Sequence, residues 1–270
     1  MELSLITNDV SMARAADNAG IDRVLVDLER LGKAERQRGR ALFLSSHVMD
    51  DVERIRNAVS RARLMVRIDP PHAGTAEQVG KVIAMGAQYV MLPWFERLRD
   101  ASGFVRVVGK RARPVLLVEN TGALEILPDL CVLPGVAEMH VGLNDLAVSF
   151  QRGSWFNMLL HPAVDAACAT FREFGMPFGL GGIGSLSRTD LPINPESVLA
   201  EQVSQGATRG WLGRSFRDAG VANIPREVDK LRQAIAKWEA SGAKQRAAAR
   251  ARLAAAIALS AANQTAAASS

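Results

Sequence analysis

The sequence holds little sulfur, few aromatic residues and no long uninterrupted apolar run. Two cysteines, Cys131 and Cys168, stand far apart and outside any CxxC spacing. That excludes a disulfide framework and a zinc cluster, and it suits a reducing, cytoplasmic setting. No stretch reaches the roughly 18 charge-free apolar residues of a membrane span. The opening residues, MELSLITND, are acidic and quickly polar, unlike a secretion signal. Acids are missing from the last 30 residues, which carry Lys244, Arg246, Arg250 and Arg252. Those four account for most of the net charge of +5 and leave +1 for residues 1–240. A nearly neutral body gives no basic face for nucleic acid.

What remains is a chain of 270 residues, 48% hydrophobic and 23% charged, of globular composition and long enough for one large domain. Residues 1–240 read as one catalytic domain. Residues 241–270 hold 14 alanines and no aromatic, so this tail reads as helical over 244–260 and disordered from Asn263 to Ser270. Within the body, eight short apolar or β-branched runs stand out: Leu3–Thr7, Arg23–Asp27, Leu64–Ile68, Tyr89–Leu92, Val115–Val118, Glu138–Val141, Pro177–Leu180 and Gly210–Leu212. Stretches of helical period separate most of them: Met12–Ala19, Asp50–Ala62, Ala76–Met85, Ala163–Phe174 and Pro195–Ser204. Gly20, Gly86, Gly175 and Gly206 stand where left-handed C-caps belong. Eight buried strands joined by helices predict an α/β protein, a closed (β/α)8 TIM barrel.

In such a barrel chemistry gathers where strands end. The ends here are rich in acids, arginines and glycines: Asp27-Leu28-Glu29-Arg30, Arg67-Ile68-Asp69, Glu119-Asn120, Asn144-Asp145, Gly181–Gly184 and Gly213-Arg214. None offers a lysine. Glu119 and Asp145 close neighbouring strands about 4.8 Å apart, so both can reach one cation. Two carboxylates with positions left open suit Mg²⁺ or Mn²⁺; the alternative is that each caps the helix that follows. Arg67 sits in an apolar strand and needs a partner, either a structural acid (Asp27, Glu29 or Asp69) or a substrate oxygen beside the cation. His47, in Leu44-Ser45-Ser46-His47, is a candidate acid–base group because imidazole titrates near neutrality. His72, His140 and His161 read as structural. The glycines of 179–185 serve either tight packing or a phosphate.

Six pieces in order resemble the HpcH/HpaI aldolase and citrate lyase β-subunit family, within the phosphoenolpyruvate/pyruvate type of barrel: 19–29 (AGIDRVLVDLE), 66–68 (VRI), 86–93 (GAQYVMLP), 116–124 (LLVENTGAL), 135–147 (GVAEMHVGLNDLA) and 161–164 (HPAV). The resemblance implies a divalent-metal-dependent carbon–carbon lyase that works next to the enolate of a 2-oxo acid, with an aldehyde or second carbonyl compound as the other substrate. It implies Glu119 and Asp145 as metal ligands, Arg67 as the arginine on the substrate, and the amides of Asn144 and Asp145 as the cradle for its carboxylate. A condensation of the citrate synthase kind on the same site, or a barrel that binds a small acid without catalysis, are the alternatives. The sequence departs from the family at Arg30, where the aldolase branch has a histidine, and at Trp94, where the lyase branch has a lysine. The segment from Leu191 to Phe216 is similar to a branch associated with polysaccharide genes, which suggests a sugar-derived partner and gives Arg214 its distal group. The resemblance also implies a homo-oligomer. Val228, Leu231, Ile235 and Trp238, at helical spacing, suit either a neighbouring subunit or the chain's own barrel.

Overall fold

The computed structural model describes residues 1–36, 45–152 and 154–268, so Leu44 lies outside the described residues. Eight strands form in the places expected: β1 (Glu2–Ile6), β2 (Arg23–Asp27), β3 (Arg63–Arg67), β4 (Tyr89–Leu92), β5 (Arg113–Val118), β6 (Glu138–Val141), β7 (Phe178–Ile183) and β8 (Arg209–Leu212). Each is parallel to the next, and β8 pairs with β1 to close the barrel. The chain is a (β/α)8 barrel.

Side chains alternate across each strand. Leu25, Met65, Tyr89, Met91, Val115 and Leu117 pack together inside the barrel. Val24, Val26, Leu64, Val66, Val90 and Leu92 face the surrounding helices in a separate apolar layer. At the start of the strands the interior is charged. Arg23, 1% exposed, pairs with Glu138 and lies 4.1 Å from the Tyr89 ring centroid. Arg209 Nε donates to Glu138 at 2.6 Å, and His140 Nε2 lies 3.3 Å from the same carboxylate. Burial alone would raise the Glu138 carboxyl, but His140 and Arg23 hold it far below its usual range. This cluster stops one end of the barrel and leaves the other for a site.

The helices follow the glycine punctuation. Gly20, Gly86, Gly175 and Gly206 have φ of +84°, +97°, +63° and +87°, which costs glycine nothing. Two differences from the reading above have a visible physical reason. The helix before β3 ends at Ala58 rather than at Ala62, because buried Asp17 accepts hydrogen bonds from the amides of Ser60, Arg61 and Ala62 and from the Ser60 hydroxyl. A helix over Leu98–Val108, between β4 and β5, was not among the periodic stretches; Gly103 interrupts its pattern.

The tail forms a helix over Ala243–Ala268. Ala249 and Leu253 are buried, and Arg250 binds Glu201 and, at 2.6 Å, Asp165. Val228, Leu231, Ile235 and Trp238, in the helix Ile224–Glu239, pack into this chain's own core with Leu3 and Leu199. Among the described residues no helix is long and apolar enough to cross a membrane.

Candidate active site

The C-terminal ends of the strands surround a cavity of about 570 Å³. Arg67, Glu119, Asn144, Asp145 and Arg214, all singled out from the sequence, line it together. His47 does not.

Strand register explains the innermost pair. Asp27 and Arg67 end β2 and β3 as direct partners. Arg67 Nε and Nη2 donate to the two Asp27 oxygens at 2.7 and 2.6 Å. Burial alone would raise the Asp27 carboxyl, but Arg67 and Lys33 hold it far below the usual range. Arg67 Nε also lies 3.4 Å from Glu29. The structural partners considered for Arg67 are therefore Asp27 and Glu29, while Asp69 turns away to accept from the amides of Arg30 and Leu31. Nη1 makes no hydrogen bond among the described residues, and the side chain reaches the cavity wall. Arg67 is thus held by two of its nitrogens and can offer the third.

Glu119 and Asp145 are both buried. Neither caps a helix by its side chain. Asn120 caps the helix after β5, accepting from Ala123 at 2.8 Å, and the helix after β6 opens at Gly142 without a side-chain cap. Glu119 Oε1 instead accepts the Trp94 amide at 2.9 Å. Trp94 adopts a left-handed φ of +44° to present it, a strained conformation for a bulky residue. Burial, Asp145 and Glu29 push the Glu119 carboxyl well above its usual range, against Arg67 and Lys33. Room for Glu119 depends on Gly142, where an added Cβ would lie 2.6 Å from Glu119 Oε2. Gly142→Ala is expected to cost about 1–3 kcal/mol, as overpacking does. Thermal melting measures it, and an unchanged melt would show that Glu119 has space to move.

These carboxylates fit a hard divalent cation. Their donors are all oxygen, and the two sit side by side in a site where Glu119 resists ionising without added positive charge. Among the described residues no three His, Cys, Asp or Glu side chains cluster for a metal. A cation here would take two protein ligands and leave the other positions to water and substrate. The helix Leu143–Ser149 begins beside them, and its first intrahelical bond runs from Leu146 to Gly142. The amides of residues 143 and 144 therefore precede the first intrahelical bond, an arrangement that suits a carboxylate.

His47 lies behind Asp27. Its Nδ1 accepts the Asp27 amide at 2.9 Å, and its carbonyl accepts from Arg30 Nη2 at 2.9 Å. Burial lowers the imidazole's affinity for a proton, as do Arg217 and Arg67, against Asp27 and Asp51. His140 is inside the barrel and His161 caps the helix Pro162–Glu173, in line with structural roles. Gly179 leaves space for His140, whose Nδ1 would meet an added Cβ at 2.6 Å.

Among the residues lining the cavity that the sequence reading did not single out are Lys33 and Trp211. Lys33 is 3% exposed and lines it, with Nζ 2.9 Å from Glu29 and 3.4 Å from Asp27. The lysine absent from the strand ends arrives from the short helix Lys33–Arg36 that follows β2, and its i,i+4 spacing from Glu29 was the available signal. Trp211 of β8 floors the cavity, stacked on His140 at 4.8 Å and 5.8 Å from the Arg67 guanidinium.

The profile of the HpcH/HpaI aldolase/citrate lyase family matches residues 3–167. The chain belongs to this family. Its members are aldolases and lyases that generally depend on a divalent metal and act on small acid and carbonyl substrates. No curated protein matches the chain in sequence. Among solved structures, a family protein from Burkholderia cenocepacia is 17% identical, with a TM-score of 0.58, 87% of this chain and 93% of that one being covered. The citrate synthase SbnG is 14% identical, with a TM-score of 0.60 over 86% of this chain and 93% of its own. Macrophomate synthase is 15% identical, with a TM-score of 0.58 over 89% and 86%. These likenesses are of fold. In the family's terms, Arg30 departs in an instructive way: its amide is pinned by Asp69 and its guanidinium holds the His47 carbonyl, so it does not stand in for the missing histidine.

Proposed function

We propose that this chain is a carbon–carbon lyase of the class II aldolase type, dependent on Mg²⁺ or Mn²⁺, that breaks or forms a bond next to the enolate of a 2-oxo acid. The observation that carries the reading is the meeting of Glu119 and Asp145 with Arg67 at one end of the cavity. Glu119 and Asp145 would hold the cation, which supplies Lewis acidity toward the oxygens of the 2-oxo acid. The amides of Asn144 and Asp145 would receive its carboxylate. Arg67, fixed by Asp27, would place Nη1 against the oxygen on which enolate charge develops. Condensation uses the same groups in the opposite direction.

Proton transfer at the second carbonyl falls to Lys33, which lines the cavity where His47 does not. Glu29 and Asp27 orient that ammonium, and His47 keeps the Asp27 backbone in place. Lys33→Met is expected to lower kcat by about 10²–10⁴, the range for a positioned acid or base, and His47→Ala by far less. The converse result would return the role to His47.

The reading is tested with oxaloacetate, whose decarboxylation needs the 2-oxo acid site but no second carbonyl. Pyruvate release is expected with added Mg²⁺ or Mn²⁺ and not in EDTA. Release that ignores the chelator would refute the metal assignment.

A further inference from the structure

Glu119 is oriented by a single hydrogen bond. Among the described residues its carboxylate takes only the Trp94 amide, at Oε1, while Oε2 lies over Gly142. The Trp94 backbone presents that amide with a φ of +44°. A bulky residue does not hold this conformation unaided. Because φ relates the amide plane to the side chain, a ring held in place holds the amide too.

Arg36 holds the ring. Its guanidinium carbon lies 4.4 Å from the Trp94 ring centroid, and tryptophan is the aromatic side chain that attracts a cation most strongly. The buried Arg36 Nε makes no hydrogen bond among the described residues; the ring contact stands in its place. The other two nitrogens anchor the group. Nη2 binds Glu29 Oε1, and Nη1 donates to the Leu31 carbonyl at 3.2 Å.

The chain builds this anchor locally. Gly32 takes a φ of +68°, and its carbonyl accepts the Arg36 amide at 3.1 Å. A Cβ on Gly32 would lie 3.1 Å from Arg36 Nη1, so the arginine folds back over a bare glycine. Lys33 and Arg36 stand three apart on one helical face, and each takes one oxygen of Glu29. Lys33, at 2.9 Å, already gives the buried Glu29 a counter-ion. Charge balance at Glu29 therefore does not require Arg36. What Arg36 adds is the contact with Trp94.

We infer that Arg36 is a positioning residue for the cation. Tied to Glu29 and stacked on Trp94, it holds the left-handed backbone whose amide fixes Glu119 Oε1, and so leaves Oε2 for the metal. The inference rests on the proposed cation site and deepens it. It links the end of β2, through β4, to the carboxylate that closes β5.

The test is calorimetric titration of the full-length protein, stripped of metal by chelator, with Mn²⁺. Arg36→Met is expected to weaken Mn²⁺ about 10–100-fold, the range for residues that orient a metal ligand. Arg36→Lys keeps a cation for Glu29 and loses the planar group that stacks, so the same weakening is expected. It is also the variant to read should Arg36→Met not fold. Trp94→Gly keeps the amide and takes a positive φ without strain, so its affinity is expected to stay close to wild type. Arg36→Met added to Trp94→Gly is then expected to cost little more, whereas an arginine that only braces the fold would cost the same in both backgrounds. Wild-type affinity in Arg36→Met or in Arg36→Lys overturns the inference, as does a double variant as weak as Arg36→Met. No Mn²⁺ binding by the wild-type chain removes the cation site itself and the inference with it. The wild-type titration thus separates failure of the metal reading from failure of the Arg36 clamp.

Discussion

Arg67→Ala is expected to lower kcat about 10²–10³-fold, the scale of removing one donor from a developing oxyanion. The same change leaves Asp27 buried, with Lys33 at 3.4 Å as its remaining cation. Breaking a buried pair from one side costs about 3–5 kcal/mol, so a lower denaturation midpoint is expected alongside the loss of turnover. Arg67→Lys separates the two effects. Lysine keeps the charge and loses the fork that spans both Asp27 oxygens, so the fold is expected to recover more than the activity does. An alanine variant with wild-type kcat would make Arg67 a strut of the barrel and no more.

The second large effect concerns Glu119 and depends on the cation in sign. Burial and the neighbouring Asp145 raise its carboxyl in the folded chain, above the roughly 4.3 of an unfolded glutamate. Between those two values the native state binds more protons than the unfolded one, so stability falls as pH rises through that window. In EDTA at neutral pH, Glu119→Gln removes this penalty and is expected to raise the melting temperature. With Mg²⁺ or Mn²⁺ the order reverses. The wild-type chain gains stability by mass action, and the glutamine variant gains little and turns over no oxaloacetate. Asp145→Asn is expected to abolish the metal response as well. Melting curves of the three proteins with and without cation decide the matter, and identical responses would remove Glu119 from the metal site.

The barrel was legible because its signals are local. Apolar runs three to five residues long and glycines at helix ends do not depend on distant parts of the chain, and every strand formed within three residues of its reading. The acids at the strand ends were legible for the same reason, since barrel closure puts all such ends on one rim. Lys33 was not. It stands six residues beyond Asp27, at the start of the short helix Lys33–Arg36, after a turn whose path is set by Asp69 catching the amides of Arg30 and Leu31. The place of His47 was not legible either. Its distance from the cavity follows from Asp27 donating its amide to the ring, a contact that no spacing encodes. Gly142 is intermediate. The glycine is plain in the sequence, but its purpose is visible only once Glu119 lies across it.

The charged plug formed by Arg23, Glu138 and Arg209 imposes a kinetic sequence. With one end of the barrel stopped, every molecule enters and leaves by a single mouth. On the proposed reading, a 2-oxo acid at the strand ends would lie beneath whatever occupies the space over β7 and β8. The acid would then arrive first and depart last, while its partner comes and goes above it. Initial-rate and product-inhibition patterns are therefore expected to show a compulsory order.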